Sequence, residues 1–124
     1  MIDSGSQMQK LDELIYLSML YDFYGDLFTS HKKRIFEDYI LNDLSLSEIA
    51  DDLSISRQGV HDIVKRCTQE LKDYEDKLSL VERFTSIKHK LGDILGLCND
   101  ISESGDIARI QEIETLADDI LKEL

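Results

Sequence analysis

Proline and tryptophan are absent from this 124-residue chain, glycine occurs six times and cysteine twice. With no proline and few glycines there is little to interrupt a helix, and abundant leucine, isoleucine, glutamate, aspartate and lysine favour helix nearly everywhere. The expected fold is all-α. Apolar runs are short, as at Leu14 to Leu17, far below the ~20 residues of a membrane-spanning helix. The opening MIDSGSQMQK is polar and lacks a basic region followed by an apolar run, which excludes a secretory signal there. A soluble, cytoplasmic protein without a membrane partner is expected.

Cys67 and Cys98 lie on separate predicted helical segments, and Cys67 continues the apolar face of Val60, Val64 and Leu71. Both are read as buried or half-buried free thiols. His31, His61 and His89 show no metal-ligand spacing to a cysteine or to one another, so no metal is expected. Neither a GxxxxGKS/T phosphate loop nor a GxSxG elbow occurs. The neighbouring acids Asp51-Asp52 and Asp118-Asp119 diverge by ~100° on a helix and do not converge on a substrate. The chain reads as a non-enzyme with no cofactor and no small-molecule substrate.

Positive charge is also scarce, with 14 basic against 26 acidic residues and a net charge of −12. That balance excludes a protein that coats nucleic acid by bulk attraction. Residues 1–28 carry −4, residues 29–70 carry −2 and residues 71–124 carry −6. The middle is least acidic, yet it is not basic.

What the middle does contain is SLSEIADDLSISRQGVHDIVKR, Ser45 to Arg66, which reads as a helix-turn-helix. Ile49, Leu53, Ile55, Val60 and Ile63 fall where such a unit needs buried residues, and Ala50 where its two helices approach closely. Ser45 followed by Glu48 is a capping box that starts the first helix. Ser54-Ile55-Ser56 breaks the helical period, and Ser56 is a good N-cap for a second helix opening with Arg57, Gln58, Gly59, His61 and Asp62. The candidate nucleic-acid-binding residues are Ser56, Arg57, Gln58, His61, Lys65 and Arg66. Arginine matches guanine and glutamine matches adenine through two-pronged contacts to the base edge, while Lys65 or Arg66 would touch phosphate. Against these stand four acidic and only three basic side chains between Ser45 and Arg66.

Met8 to Phe28 is richer in apolar residues than one stripe of a surface helix requires. This helix is either central to the core or buried on a second side by another subunit, so a homodimer is expected. A helix over His31 to Leu41 follows, with Lys32, Lys33 and Arg34 in its first turns as either a solvated face or a phosphate contact. Beyond the motif, Cys67, Leu71, Tyr74, Leu78 and Val81, then Phe84, Ile87, Leu91, Ile94 and Leu95, keep spacings of three and four. One long helix is expected, with a possible bend at Ser79. Ser102 to Asp106 reads as a loop, and Asp106 can cap a last helix. There Ile110, Ile113, Ala117, Ile120 and Leu124 repeat as a seam that packs back on the long helix or pairs between subunits. The resulting organisation is a disordered N-terminus over 1–8, a helical domain over 9–70 containing the motif at 45–66, and a helical extension over 71–124 that ends in a hairpin.

YDFYGDLF (Tyr21 to Phe28), the stretch from Leu41 to Arg66, and LKDYEDKLSLVERF (Leu71 to Phe84) together resemble the YlxM family. These are bacterial proteins similar to region four of RNA polymerase sigma factors. The resemblance covers roughly residues 14–91. It implies a sigma-region-four-like helical fold, DNA binding, and action with the RNA or GTPase of the bacterial signal recognition particle, the last inferred from gene neighbourhood. Departures from the pattern are Ser54, where a helix-turn-helix often has glycine, Gly59 where the family generally has alanine, and His61 where it often has an aromatic residue. Glycine inside a helix costs ~1 kcal/mol relative to alanine. At Gly59 it either loosens the first turn of the reading helix or lets a neighbour approach closely. Two functions are therefore expected of the same helices: a regulatory role in the particle's pathway and sequence-specific DNA binding.

Overall fold

A computed structural model describes residues 4–124, with side chains from Met8 onward. The helices are α1 (Ser4–Tyr24), α2 (Ser30–Ile40), α3 (Leu46–Leu53), α4 (Arg57–Leu78), α5 (Leu80–Ser104) and α6 (Ile110–Glu123), with 3-10 turns at Gly25–Leu27 and Ile107–Arg109. No strand occurs among the described residues, and the fold is all-α. Of the segment expected to be disordered, residues 1–3 lie outside the described residues and α1 begins at Ser4.

The chain forms two compact units, one ending at Ser79 and the other spanning Leu80–Leu124. The single long helix expected past the motif is therefore two helices. Ser79 adopts a left-handed conformation (φ 53°, ψ 32°), and its N–H donates to the Glu75 carbonyl to close α4. One left-handed residue ends a helix without disturbing the spacing of apolar side chains on either side, so the stripe runs on while the helix does not.

In the first unit α1 lies against α2 and α4. Leu17, Leu20, Tyr21 and Tyr24 of α1 are buried with Ile35 and Phe36 of α2 and Val60, Val64, Cys67 and Leu71 of α4. Rings gather at one end, with Phe36 5.5 Å from Tyr21 and 5.9 Å from Phe28, centroid to centroid. The Tyr21 hydroxyl donates to Glu37 and that of Tyr24 to Glu75 at 2.6 Å, so both phenols are satisfied. Burial, then the Glu37 carboxylate, pushes the Tyr21 phenol far above its ordinary range. Gly25 is required by close approach, because a Cβ there would stand 2.6 Å from the Tyr21 ring. The opposite face of α1 is not covered: Met8, Leu11 and Ile15 are 66%, 58% and 53% exposed.

Cys67 is buried, and loss of solvent pushes its thiol up to about 11, whereas Cys98 is exposed, against expectation. Both are free.

In the second unit α5 and α6 pair, with Ile87, Ile94, Leu97 and Ile101 of α5 and Ile113, Leu116, Ala117 and Ile120 of α6 half-buried. The ends of the expected α6 seam, Ile110 and Leu124, are 42% and 84% exposed. Lys90 and Ser86 of α5 both donate to Glu123 of α6, at 2.8 and 3.0 Å, and hold its carboxyl below the usual range. Gly105 takes φ 71° after α5, and Asp106 caps the 3-10 turn leading into α6 by accepting from the Ala108 N–H.

Candidate nucleic-acid interface

Three of the helices, α2, α3 and α4, close on one core built from Ile35, Ile49, Ala50, Val60 and Val64, with Tyr39, Leu44, Leu46, Leu53 and Ile63 packed around it. The apolar seam read from the sequence is present with two changes. Ile55 is 36% exposed because it sits in the turn, where its N–H donates to Ala50, and Val64 fills the core instead. Ala50 is 3% exposed, and its small side chain is what the close approach of α3 and α4 needs.

Local chemistry sets both helix starts. Ser45 Oγ accepts from the Glu48 N–H at 3.1 Å while Glu48 Oε1 accepts from the Ser45 N–H at 3.4 Å, a complete capping box. Ser45→Ala should cost about 1 kcal/mol in a urea titration, as loss of an N-cap hydroxyl does elsewhere; an unchanged midpoint would contradict the cap's role. Between the helices Ser54 is left-handed (φ 55°, ψ 41°), the conformation for which glycine is the usual choice.

Ser56 caps α4 by accepting from the Gly59 N–H at 2.9 Å. A Cβ on residue 59 would stand 3.0 Å from that same Ser56 oxygen, a tight contact, although the equivalent cap at Ser45 accommodates the Cβ of Glu48. Of the candidate binding residues, Ser56 thus has its hydroxyl engaged in the cap, and Arg57, Gln58, His61, Lys65 and Arg66 are exposed on α4. Positions 58, 62, 65 and 69 share the middle of the strip opposite the buried Val60, Val64 and Cys67. Arg57 and His61 lie to one side of it and Arg66 to the other.

Four of the nine Lys and Arg side chains of the first unit are ion-paired. Lys32 pairs with Glu70, Lys33 with Asp26, both at 2.8 Å, and Arg34 with Asp52 at 2.9 Å. The basic triplet of α2 is thus an internally paired face, and Asp52 of α3 is turned to Arg34. Lys33 in turn holds the Asp26 carboxyl below its ordinary range. Lys72 pairs with Glu13 at 2.8 Å. Among the described residues no carboxylate lies within ion-pairing distance of Arg57, Lys65 or Arg66.

One residue of this face was left out of the sequence-based site. Asp62 Oδ1 accepts from Gln58 Nε2 at 3.0 Å and lies 3.5 Å from His61 Nδ1. The Gln58 hydrogen bond, then His61, holds the Asp62 carboxyl below the usual range. The signal was present as a glutamine and an aspartate four residues apart, a spacing at which helical side chains meet. No group of three or more potential metal ligands is gathered among the described residues, and no helix there is long and apolar enough to cross a membrane.

A capped pair of helices joined by a tight left-handed turn, with the second helix facing outward, defines a helix-turn-helix protein. The model of the UPF0122 family, described as "Putative helix-turn-helix protein, YlxM / p13 like", matches residues 11–115, and the chain belongs to that family. A UPF0122 protein of Thermoanaerobacter sp. (strain X514) is 49% identical over 83 residues, covering 67% of this chain and 71% of the relative. One from Clostridium acetobutylicum is 40% identical over 108 residues, covering 84% and 93%, and one from Shouchella clausii is 39% identical over 84 residues, covering 68% and 77%.

Proposed function

We propose that the chain is a non-enzymatic, cytoplasmic regulator that binds duplex DNA through α4. The observation that carries this reading is that Arg57, Lys65 and Arg66, all exposed along the second helix of the motif, make no ion pair among the described residues, while Lys32, Lys33 and Arg34 are internally paired. In this reading Arg57 and Gln58 reach base edges and Lys65 and Arg66 contact phosphate. Selection from random duplexes at moderate salt tests it. A preferred site is the expected result, and its absence would sink the reading.

A second reading draws on the net charge of −12, which suits a basic protein partner. Here the chain serves the signal recognition particle by binding its GTPase or RNA. A side-by-side pulldown of duplex DNA, particle RNA and particle GTPase at physiological salt separates the two. Retention of the GTPase or RNA without duplex would favour the particle.

The uncovered stripe of α1 is the expected homodimer contact. Met8, Leu11, Ile15 and Met19 follow helical spacing, and the exposed acids Asp12 and Asp22 share that face, so apolar burial there works against the repulsion between two acidic chains. A dimer by light scattering at micromolar concentration, reduced to monomer by Ile15→Glu, is expected; a wild-type monomer across that range removes the proposal.

A further inference from the structure

Asp62 stands in the middle of the outward strip of α4, between Gln58 and Lys65, and its side chain is 52% exposed. An acid there weakens every phosphate contact that Lys65 and Arg66 could make. Its two side-chain contacts, to Gln58 and His61, both use Oδ1, which leaves Oδ2 as an acceptor. A glutamine carboxamide carries two N–H donors and one carbonyl acceptor. Asp62 takes one N–H of Gln58, and the other N–H together with Oε1 is the pair of groups that an adenine edge requires. The aspartate therefore restrains the carboxamide without consuming its capacity to read.

We propose that Asp62 sets the base choice of α4: it holds the Gln58 carboxamide oriented for an adenine edge, while its negative charge lowers affinity for every duplex alike. The inference rests on the DNA reading above. Asp62 acts through Gln58 and is a positioning residue. Restraint before binding removes an ordering cost that a free glutamine would carry. Repulsion of phosphate lowers affinity for all sequences alike and leaves the ratio between them unchanged, so discrimination comes from the restraint of Gln58 while the charge sets only the overall affinity.

Two variants separate the effects. Asn can still accept from Gln58 but carries no charge, whereas Ala does neither. Binding to the selected duplex and to a duplex with the adenine position replaced is measured at one salt concentration for wild type, Asp62→Asn, Asp62→Ala and Gln58→Ala, with circular dichroism as the control for folding. Asp62→Asn is expected to bind both duplexes several-fold more tightly and to keep the preference for adenine. Asp62→Ala is expected to gain affinity in the same way but to lose about ten-fold in preference, as Gln58→Ala does, in the range of one bidentate base contact. Wild-type discrimination retained in Asp62→Ala overturns the proposal and leaves Asp62 as an i,i+4 brace within the helix. If wild type prefers no duplex at all, the DNA reading falls and this inference falls with it.

Discussion

Phe36→Ala is expected to remove about 3–5 kcal/mol from the stability of the first unit, the cost of deleting a fully buried ring. Phe36 is 0% exposed and meets the rings of Tyr21 and Phe28, so its removal opens a cavity between α1 and α2 that these neighbours cannot fill without leaving their own contacts. Tyr21 is additionally tied to Glu37, which restrains any collapse into the space. A native domain typically has only about 5–15 kcal/mol in hand, so the variant should lie close to unfolding at room temperature. Urea titration followed by circular dichroism checks it, and a loss below about 1 kcal/mol would mean that the cavity closes.

The second large effect concerns binding. Replacing Arg57, Lys65 and Arg66 together by alanine removes the three cations of the helix-turn-helix motif, none of which makes an ion pair among the described residues. Each phosphate contact contributes about 0.9 to the slope of log affinity against log salt, so about 1.8 should be lost from it with Lys65 and Arg66. Affinity at low salt should fall by at least about a hundred-fold, since each lost charged contact is worth roughly a factor of ten when 1.4 kcal/mol is lost with it. Arg57→Ala alone should also relax base choice, whereas Lys65→Ala should weaken all sequences alike. Because the three side chains are exposed, the melting temperature should hardly move. An undiminished affinity in the triple variant would exclude α4 as the binding surface.

Much of the fold was legible because its signals are local. Ser45 with Glu48 and Ser56 before the reading helix are caps whose partners lie three residues away, and both are present, whereas Asp106, expected to cap the last helix, caps the 3-10 turn ahead of it. Apolar spacing located the helices for the same reason. What escaped depends on geometry that spacing does not carry. Ser79 ends α4 through a backbone rotation at a single residue, leaving the stripe from Leu71 to Leu95 continuous in sequence. Ile55 looked like a seam residue, but the left-handed turn at Ser54 carries it outward.

The candidate site was legible as a set of side-chain types on one helix, and less so as an electrostatic surface. Lys32, Lys33 and Arg34 are neutralised by Glu70, Asp26 and Asp52, residues that only the fold brings beside them. A count of charges along the chain cannot distinguish a paired lysine from an available one. Asp62 was visible as an acid within the motif, but its hold on Gln58 needed the rotamers of both.

The paired face of α2 has a kinetic consequence. Proteins that cover many phosphates glide along non-specific DNA, because bulk attraction keeps them on the duplex between encounters. In the DNA reading, this chain meets the backbone with few cations while the lysines of α2 remain tied to its own acids. It has little to hold it on a random stretch. Such a protein finds its site chiefly by repeated collision from solution, and lengthening the flanking DNA does little to speed its arrival.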